Sequence, residues 1–208
     1  MKFNVTSGVR ITSLARERLS SVLNLAMFVP MHRLHQSFLT LRMGRGQVEV
    51  LNRLGHCMSQ PQAVICAVAR TPIGKFMGTL STMTAVELGV ATVKELLKRA
   101  EIDPGSGLVD ELVFGQVLQA GVGQNPARQV ALGAGLPVTT PCLTVNKVCG
   151  SSLKAAMMAA NSIRAGEYKA IVAGGMESMS QAPQLLMGQR KGAKMGDSTL
   201  VDSMIHDG

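Results

Sequence analysis

The stretch VNKVCGSSLK, residues 145–154, joins a strand-like run to a helix-forming one. Residues 142–145 are apolar and β-branched, whereas residues 153–163 are rich in Ala and Met. This pattern predicts a strand that ends just before a helix, with Cys149 at the helix N-terminus. The amides and the dipole at such an end favour negative charge, so they would stabilise a thiolate. Cys149 is therefore a candidate nucleophile.

The other cysteines lack this setting. Free cysteines usually pack as small hydrophobes, and we expect this of Cys66, inside an apolar run, and of Cys142, just after a proline. Small residues follow Cys149 at positions 150–152, which would leave its sulfur uncrowded and the backbone amides open to a ligand. The four cysteines include no Cys-x-x-Cys spacing, so we expect neither a zinc site nor a disulfide, and a reducing compartment fits.

Apolar and helix-forming runs alternate along residues 61–208, as in an α/β domain with a mostly parallel sheet. Thr84 and Glu87 have the spacing of a capping box, and Asn125 with Pro126 is typical of a helix start. The predicted strands are 63–69, 112–119, 142–148 and 170–173, and the predicted helices cover 84–100, the segment after Asn125, and 153–163.

Five blocks of sequence follow one another in a fixed order: ARTPIG (69–74), GQVLQAGVGQNPARQ (115–129), GLP (135–137), NKVCGSSLK (146–154) and VAGGMESMS (172–180). Together they resemble blocks of the thiolase family, and most closely those of its acetoacetyl-CoA thiolase branch. In that family the cysteine of the Asn-Lys-Val-Cys block takes the acyl group from acyl-CoA, and the matching position here is Cys149. The family usually has Gly where this chain has Ser152, which affects loop packing at most.

The resemblance implies a fold and a reaction. The fold would be the first half of a layered αβαβα sandwich with a mixed, mostly parallel sheet, in residues 61–180, and the start of a loop domain in residues 181–208. The reaction would be condensation of two acetyl-CoA to acetoacetyl-CoA, or the reverse thiolysis, within lipid and ketone-body metabolism. Coenzyme A would be the substrate carrier, with no separate cofactor or metal. The backbone N–H of Cys149 would be an oxyanion donor, and the complete enzyme a dimer or tetramer of identical chains.

Only the first-half blocks of the family are found. The second-half blocks Asn-Glu-Ala-Phe, Gly-His-Pro and Cys-Gly-Gly have no counterpart, and none of the four histidines, His32, His35, His56 and His206, follows a glycine and precedes a proline as that block requires. We therefore expect this chain to lack the acid–base residues of the full reaction and to be inactive alone. One alternative is a non-catalytic fragment or subunit that needs a C-terminal half. Another is a ketoacyl-ACP synthase, against which the Asn-Lys-Val before Cys149 argues.

The first sixty residues differ in charge from the rest. They hold eight Lys or Arg against two acidic residues, whereas residues 61–208 hold thirteen against eleven. We interpret residues 1–60 as a basic extension outside the folded core, either a mitochondrial transit peptide or sequence upstream of a true start near Met58. The compartment would then be the mitochondrial matrix or the cytoplasm. No aromatic or basic motif favours nucleic acid, and the uncharged stretch 19–32 is shorter than the roughly 20 residues of a membrane span.

The helix that follows Cys149 has almost no polar stripe across residues 153–163. A helix that is apolar all round is usually buried all round. We expect a partner or a second layer to cover it, because part of this surface would otherwise face water. Residues 188–196 are polar and glycine-spaced, which indicates a cationic surface loop.

Overall fold

The computed structural model describes residues 25–31, 62–192 and 195–208, and within them a five-stranded sheet carries helices on both faces. His32, His35, His56 and Cys57 lie outside the described residues. The sheet strands are β1 Leu25–Met31, β2 Gln62–Val68, β3 Glu111–Gly115, β4 Cys142–Val145 and β5 Ile171–Gly175. The helices are α1 Ala85–Arg99, α2 Pro126–Ala134, α3 Ser151–Ala165 and the single-turn α4 Ser203–His206. A separate antiparallel pair is formed by β6 Gln184–Leu186 and β7 Leu200–Asp202, and 3-10 turns lie at Pro104–Ser106, Met179–Gln181 and Gln189–Lys191.

The strands of the main sheet follow the order β2-β1-β5-β3-β4. β3 is parallel to both β4 and β5, whereas β1 is antiparallel to both β2 and β5. Four of the five strands of this sheet thus run the same way, which confirms the prediction of a mixed, mostly parallel sheet. Their carboxyl ends meet at one edge, and this edge is where α/β proteins usually bind ligands.

Alternate residues of the strands bury against different helices. Leu112 and Phe114 of β3 lie in one core cluster with residues of α1 and α2, whereas Val113 lies in a second cluster with α3. The alternation follows from the two-residue period of a strand. It produces three layers, helices–sheet–helix, which agrees with the αβα half predicted from the sequence.

Two predicted helix starts are confirmed. The Glu87 amide donates to Thr84 Oγ1 at 3.2 Å while the Thr84 amide donates to Glu87 Oε2 at 2.8 Å, which completes the capping box of α1. Asn125 caps α2 by accepting from the Arg128 amide, and Pro126 is the first residue of that helix. These local signals fix where α1 and α2 begin.

One strand comes from the segment that we interpreted as an extension. The expectation that residues 1–60 lie outside the folded core is wrong for Leu25–Met31, which lies between β2 and β5. Met27 is 5% exposed and belongs to the cluster under α1. The uncharged stretch 19–32 contains this strand, but its length was compared only with that of a membrane span, so the strand was not predicted. The domain boundaries at 60 and 180 stay predictions.

Two strands are shorter than predicted. β3 ends at Gly115 and β4 at Val145, because the residues after each turn away to form loops rather than extend the ladder. β6 and β7 were not predicted. The described residues of the loop 188–196 are exposed, as expected, and begin with a 3-10 turn. Nowhere in the described ranges is a helix both long and apolar enough to cross a membrane.

Candidate active site

A cleft of about 490 Å³ lies at the carboxyl edge of the parallel strands. The loops that follow β2, β3, β4 and β5 all reach it, so residues distant in sequence meet there. Its charged lining residues among those described are Lys75 and Glu177. The lining comprises residues 71–76, 115–118 and 175–180, Val148, Cys149, Ser151 and Ser152, several residues of α1, and further residues including Leu80, Ser81 and Gly208.

Cys149 lines this cleft and is exposed. It directly precedes Gly150, the N-cap of α3. The structure therefore places Cys149 where the sequence analysis placed it, at the N-terminus of a helix that follows a strand. Its role as a nucleophile stays a prediction.

The amides around Cys149 are partly occupied. The Gly150 amide donates to Lys147 O at 3.0 Å and the Ser151 amide to Val148 O at 3.1 Å, so the expectation that both are open to a ligand is wrong. The loop folds back on itself and uses them. Within the described residues, the amides of Ser152 and Leu153 have no acceptor, as is usual in the first turn of a helix.

Val148, next to Cys149, has an unusual backbone conformation. Its φ is +46°, in the left-handed region that a β-branched residue rarely adopts. The Val148 amide donates to Asn146 Oδ1 at 2.9 Å, and Val148 O accepts from Ser151 Oγ at 2.6 Å. Sequence reasoning missed this feature, because nothing about a valine indicates a left-handed residue.

Glycines at the ends of two strands admit α3 closely. A β-carbon on Gly115 would lie 2.5 Å from the carbonyl carbon of Ser151, and one on Gly175 would overlap Ser152 Oγ. Only glycine allows the helix N-terminus, and hence Cys149, to approach the sheet this closely. Ser152, the position where the family usually has Gly, thus packs directly against the end of β5.

Glu177 joins the loops after β5 and β3. Its carboxylate accepts from the Val117 amide at 2.9 Å and from the Leu118 amide at 3.3 Å. Burial raises the pKa of Glu177, and the two amides partly oppose that rise. Glu177 belongs to the block 172–180 but was not predicted to have a role; the available signal was an acidic residue two positions after a buried strand that ends in glycine.

Gln116 is buried beside the cleft, with 1% of its surface exposed. Its Nε2 donates to Leu118 O at 3.0 Å, whereas its Oε1 has no partner among the described residues. Asn146 Nδ2 reaches Val117 O at 3.4 Å. Side chains from three strand ends therefore hold the same turn, residues 116–118.

Cys142 and Cys66 have different surroundings from Cys149. Cys142 is half-buried, and its thiol reaches Thr140 O at 3.4 Å. Cys66 is exposed on β2, so the expectation that it packs as a buried hydrophobe is wrong; β2 is an edge strand with one incompletely covered face. Desolvation raises the pKa of both thiols, and for Cys142 the nearby Arg128 partly opposes this.

The outer face of α3 is not covered. Ala155, Ala159 and Ile163 are buried against the sheet, but Leu153 is 61% and Met157 49% exposed. The composition of the helix suggested burial on every side, but in the structure one apolar face is open to solvent. His206 is exposed, as expected for a solvated side chain. Among the described residues, no three His, Cys, Asp or Glu side chains are grouped as a metal ion would require.

Comparison with known proteins agrees with this architecture. Residues 63–208 match the family described as "Thiolase, N-terminal domain". The chain is 55% identical over 145 residues to "Acetyl-CoA acetyltransferase" of Cupriavidus necator, covering 70% of this chain and 36% of that protein. It is 55% identical over 148 residues to "Acetyl-CoA acetyltransferase ERG10, cytosolic" of Gibberella zeae, covering 71% and 37%. It is 51% identical over 145 residues to "Probable acetyl-CoA acyltransferase" of Staphylococcus epidermidis, covering 70% and 36%.

The chain spans little more than a third of the length of these relatives. The matched part contains β2 to β5, α1 to α3 and the Cys149 loop, and β1 lies before it. Since the family match extends from Ala63 to Gly208, the chain belongs to the thiolase family.

Proposed function

We propose that Cys149 accepts an acetyl group from acetyl-CoA as the first step of a thiolase reaction. One observation carries the proposal: an exposed cysteine lines the cleft at the carboxyl edge of the sheet and directly precedes the N-cap of α3. A thiolate is the reactive form of cysteine, and helix N-termini favour it. The relatives named acetyl-CoA acetyltransferase support acetyl-CoA as the substrate.

The chemistry of this step is a thioester exchange. The Cys149 thiol releases its proton to solvent, its sulfur bonds to the acetyl carbonyl carbon, and negative charge develops on the carbonyl oxygen. When the carbonyl re-forms, the bond to the coenzyme A sulfur breaks, and the released thiolate takes up a proton. The Cys149 backbone N–H, which the family resemblance assigns as an oxyanion donor, would stabilise the developing charge.

The complete reaction adds a second step. Removal of a methyl proton from another acetyl-CoA gives a carbanion that attacks the carbonyl carbon of the acetyl group on Cys149. The bond between that carbon and the Cys149 sulfur then breaks, which releases acetoacetyl-CoA and the Cys149 thiolate; thiolysis is the reverse. The family resemblance assigns that proton transfer to a cysteine and a histidine in the Cys-Gly-Gly and Gly-His-Pro blocks, which have no counterpart in this sequence. For this chain alone we therefore propose only the acetyl-transfer step, and for the complete enzyme the whole reaction in a dimer or tetramer.

The exposed face of α3 favours a second candidate function. Leu153 and Met157 form an exposed apolar surface on α3, and exposed apolar patches often mark sites of association. The chain would then be a subunit that becomes active only with a further polypeptide. In that case the isolated chain would show neither acetyl transfer nor turnover, and both would appear on assembly.

Competition between alkylation and acetyl-CoA tests the proposal. The full chain is treated with iodoacetamide at neutral pH, and the labelling rate of each cysteine is measured by peptide mass spectrometry with and without acetyl-CoA. We expect Cys149 to be labelled fastest and to be protected by acetyl-CoA, with Cys66 and Cys142 unaffected. The variant Cys142→Ser, as a control, should keep this protection. Equal labelling of all four cysteines of the chain, or protection of Cys142 instead of Cys149, would contradict the assignment.

A further inference from the structure

The loop before α3 is built around one strained residue. Val148 has a φ of +46°, and the left-handed conformation brings the β-carbon of an L-residue too close to a neighbouring carbonyl oxygen. Such strain persists only where surrounding interactions hold it, and it is concentrated at functional sites. Val148 directly precedes Cys149, so its conformation sets the direction in which Cys149 leaves the loop.

Two side chains hold both peptide groups of Val148. On one side, the Val148 amide donates to Asn146 Oδ1 at 2.9 Å. On the other, Ser151 Oγ donates to Val148 O at 2.6 Å and also accepts from the Lys147 amide at 2.9 Å. We call these two side chains, Asn146 and Ser151, the Val148 clamp.

The clamp is anchored to the sheet. Ser151 is 4% exposed, and its backbone lies against Gly115 so closely that no side chain would fit between them. Asn146 Nδ2 also reaches Val117 O, in the turn that Glu177 holds through the Val117 amide. The strained loop is therefore fixed to the ends of both β3 and β5.

We propose that Asn146 and Ser151 are positioning residues, which hold Val148 in its left-handed conformation and thereby orient the Cys149 sulfur for acyl transfer. Neither side chain needs to touch the acyl group. The catalytic part of this inference rests on the proposed function of Cys149, whereas the conformational part does not. Ser151 is the stronger member, because its buried hydroxyl joins two backbone groups of the loop.

Chemical kinetics provides the first test. In Ser151→Ala and Asn146→Ala, acetyl transfer from acetyl-CoA to Cys149 should be about tenfold slower, because a misplaced nucleophile loses the benefit of orientation. Alkylation by iodoacetamide should stay within about twofold of wild type, since a small reagent depends on thiolate fraction and access rather than on orientation. Ser162→Ala and Asn161→Ala, which remove the same groups elsewhere on α3, serve as matched controls. The positioning role would be overturned if alkylation slowed together with acetyl transfer. It would also be overturned if acetyl transfer were unchanged in both Ser151→Ala and Asn146→Ala.

A stability cycle tests the clamp without using the reaction. Val148→Gly removes the strain that Ser151 maintains. The change that Val148→Gly makes to the folding equilibrium constant should therefore be about fivefold more stabilising in the wild-type background than in Ser151→Ala. The entropic cost of glycine is common to both backgrounds and cancels. An equal effect in the two backgrounds would show that Ser151 does not hold the conformation. If wild type accepts no acetyl group while the coupling is present, the proposed function fails and the clamp is retained.

Discussion

Gly115 at the end of β3 lies directly against Ser151, the first residue of α3, with only 2.5 Å between a β-carbon built on the glycine and the serine carbonyl carbon. This contact determines how near the N-terminus of α3, and hence Cys149, comes to the sheet.

Gly115→Ala should therefore destabilise the chain by about 1–3 kcal/mol, because the backbone of α3 has to move away from the sheet. Urea unfolding followed by circular dichroism measures the change. Gly105→Ala is the matched control, since the nearest atom to its added β-carbon is 3.7 Å away. Equal stability of the two variants would mean that α3 does not pack this closely.

The capping box of α1 makes a separate contribution. Thr84→Ala removes the acceptor for the Glu87 amide and should lower the free energy of unfolding by about 1 kcal/mol. Thr139→Ala, at an exposed position, should change it by less than about 0.5 kcal/mol. The idea fails if Thr84→Ala is as stable as this control in the same unfolding experiment.

The strand β1 should be needed for stability. β2 is joined to the main sheet only through β1 among the described strands, so removing residues 1–57 should cost at least about 2 kcal/mol in lost ladder bonds. Removing residues 1–22 leaves Leu25–Met31 in place and serves as the control. Hydrogen exchange should also speed up in β2 and β5 after the longer truncation alone. Unchanged hydrogen exchange and unchanged stability would show that residues 25–31 do not belong to the folded core.

Glu177 should give the stability of the chain a specific pH dependence. Burial raises its folded pKa above the ordinary 4.5, so the folded chain keeps this proton to higher pH than the unfolded chain. The contribution of Glu177 to the free energy of unfolding must then fall as pH rises from 4.5 through the raised value, and the ionised form is a net cost above it. The difference between wild type and Glu177→Gln, measured by urea unfolding across this range, isolates the effect. Glu101→Gln, at an exposed site, is the control, and a difference of the opposite sign would refute the assignment.

Local signals in the sequence predicted much of the fold. Thr84 and Asn125 identify two helix starts because a cap acts within one turn, and the change from a β-branched to an Ala-rich run identifies the N-terminus of α3 at Cys149. β1 was not predicted, because the uncharged stretch 19–32 around it lies in an otherwise basic segment and carries no local signal of the strands that it pairs with.

Contacts between distant residues could not be predicted in this way. Glu177 binds the Val117 amide across 60 positions, and no local pattern indicates such a pairing. The left-handed Val148 contradicts the preference of a β-branched residue, so only the surrounding hydrogen bonds account for it. The sequence thus predicted that Cys149 lies at the N-terminus of α3, whereas the structure is needed to show which contacts hold it there.

In the proposed reaction the Cys149 sulfur accepts the acetyl group, so the position of that group on the chain can be determined. The full chain is incubated with acetyl-CoA, digested at mildly acidic pH and analysed by mass spectrometry, before and after neutral hydroxylamine, which cleaves thioesters but leaves acetyl-lysine intact. We predict one hydroxylamine-sensitive acetyl group, on the peptide that contains Cys149, and none on that peptide in Cys149→Ser. A hydroxylamine-sensitive acetyl group on Cys57, Cys66 or Cys142, or none on Cys149 in the folded chain, would contradict this assignment.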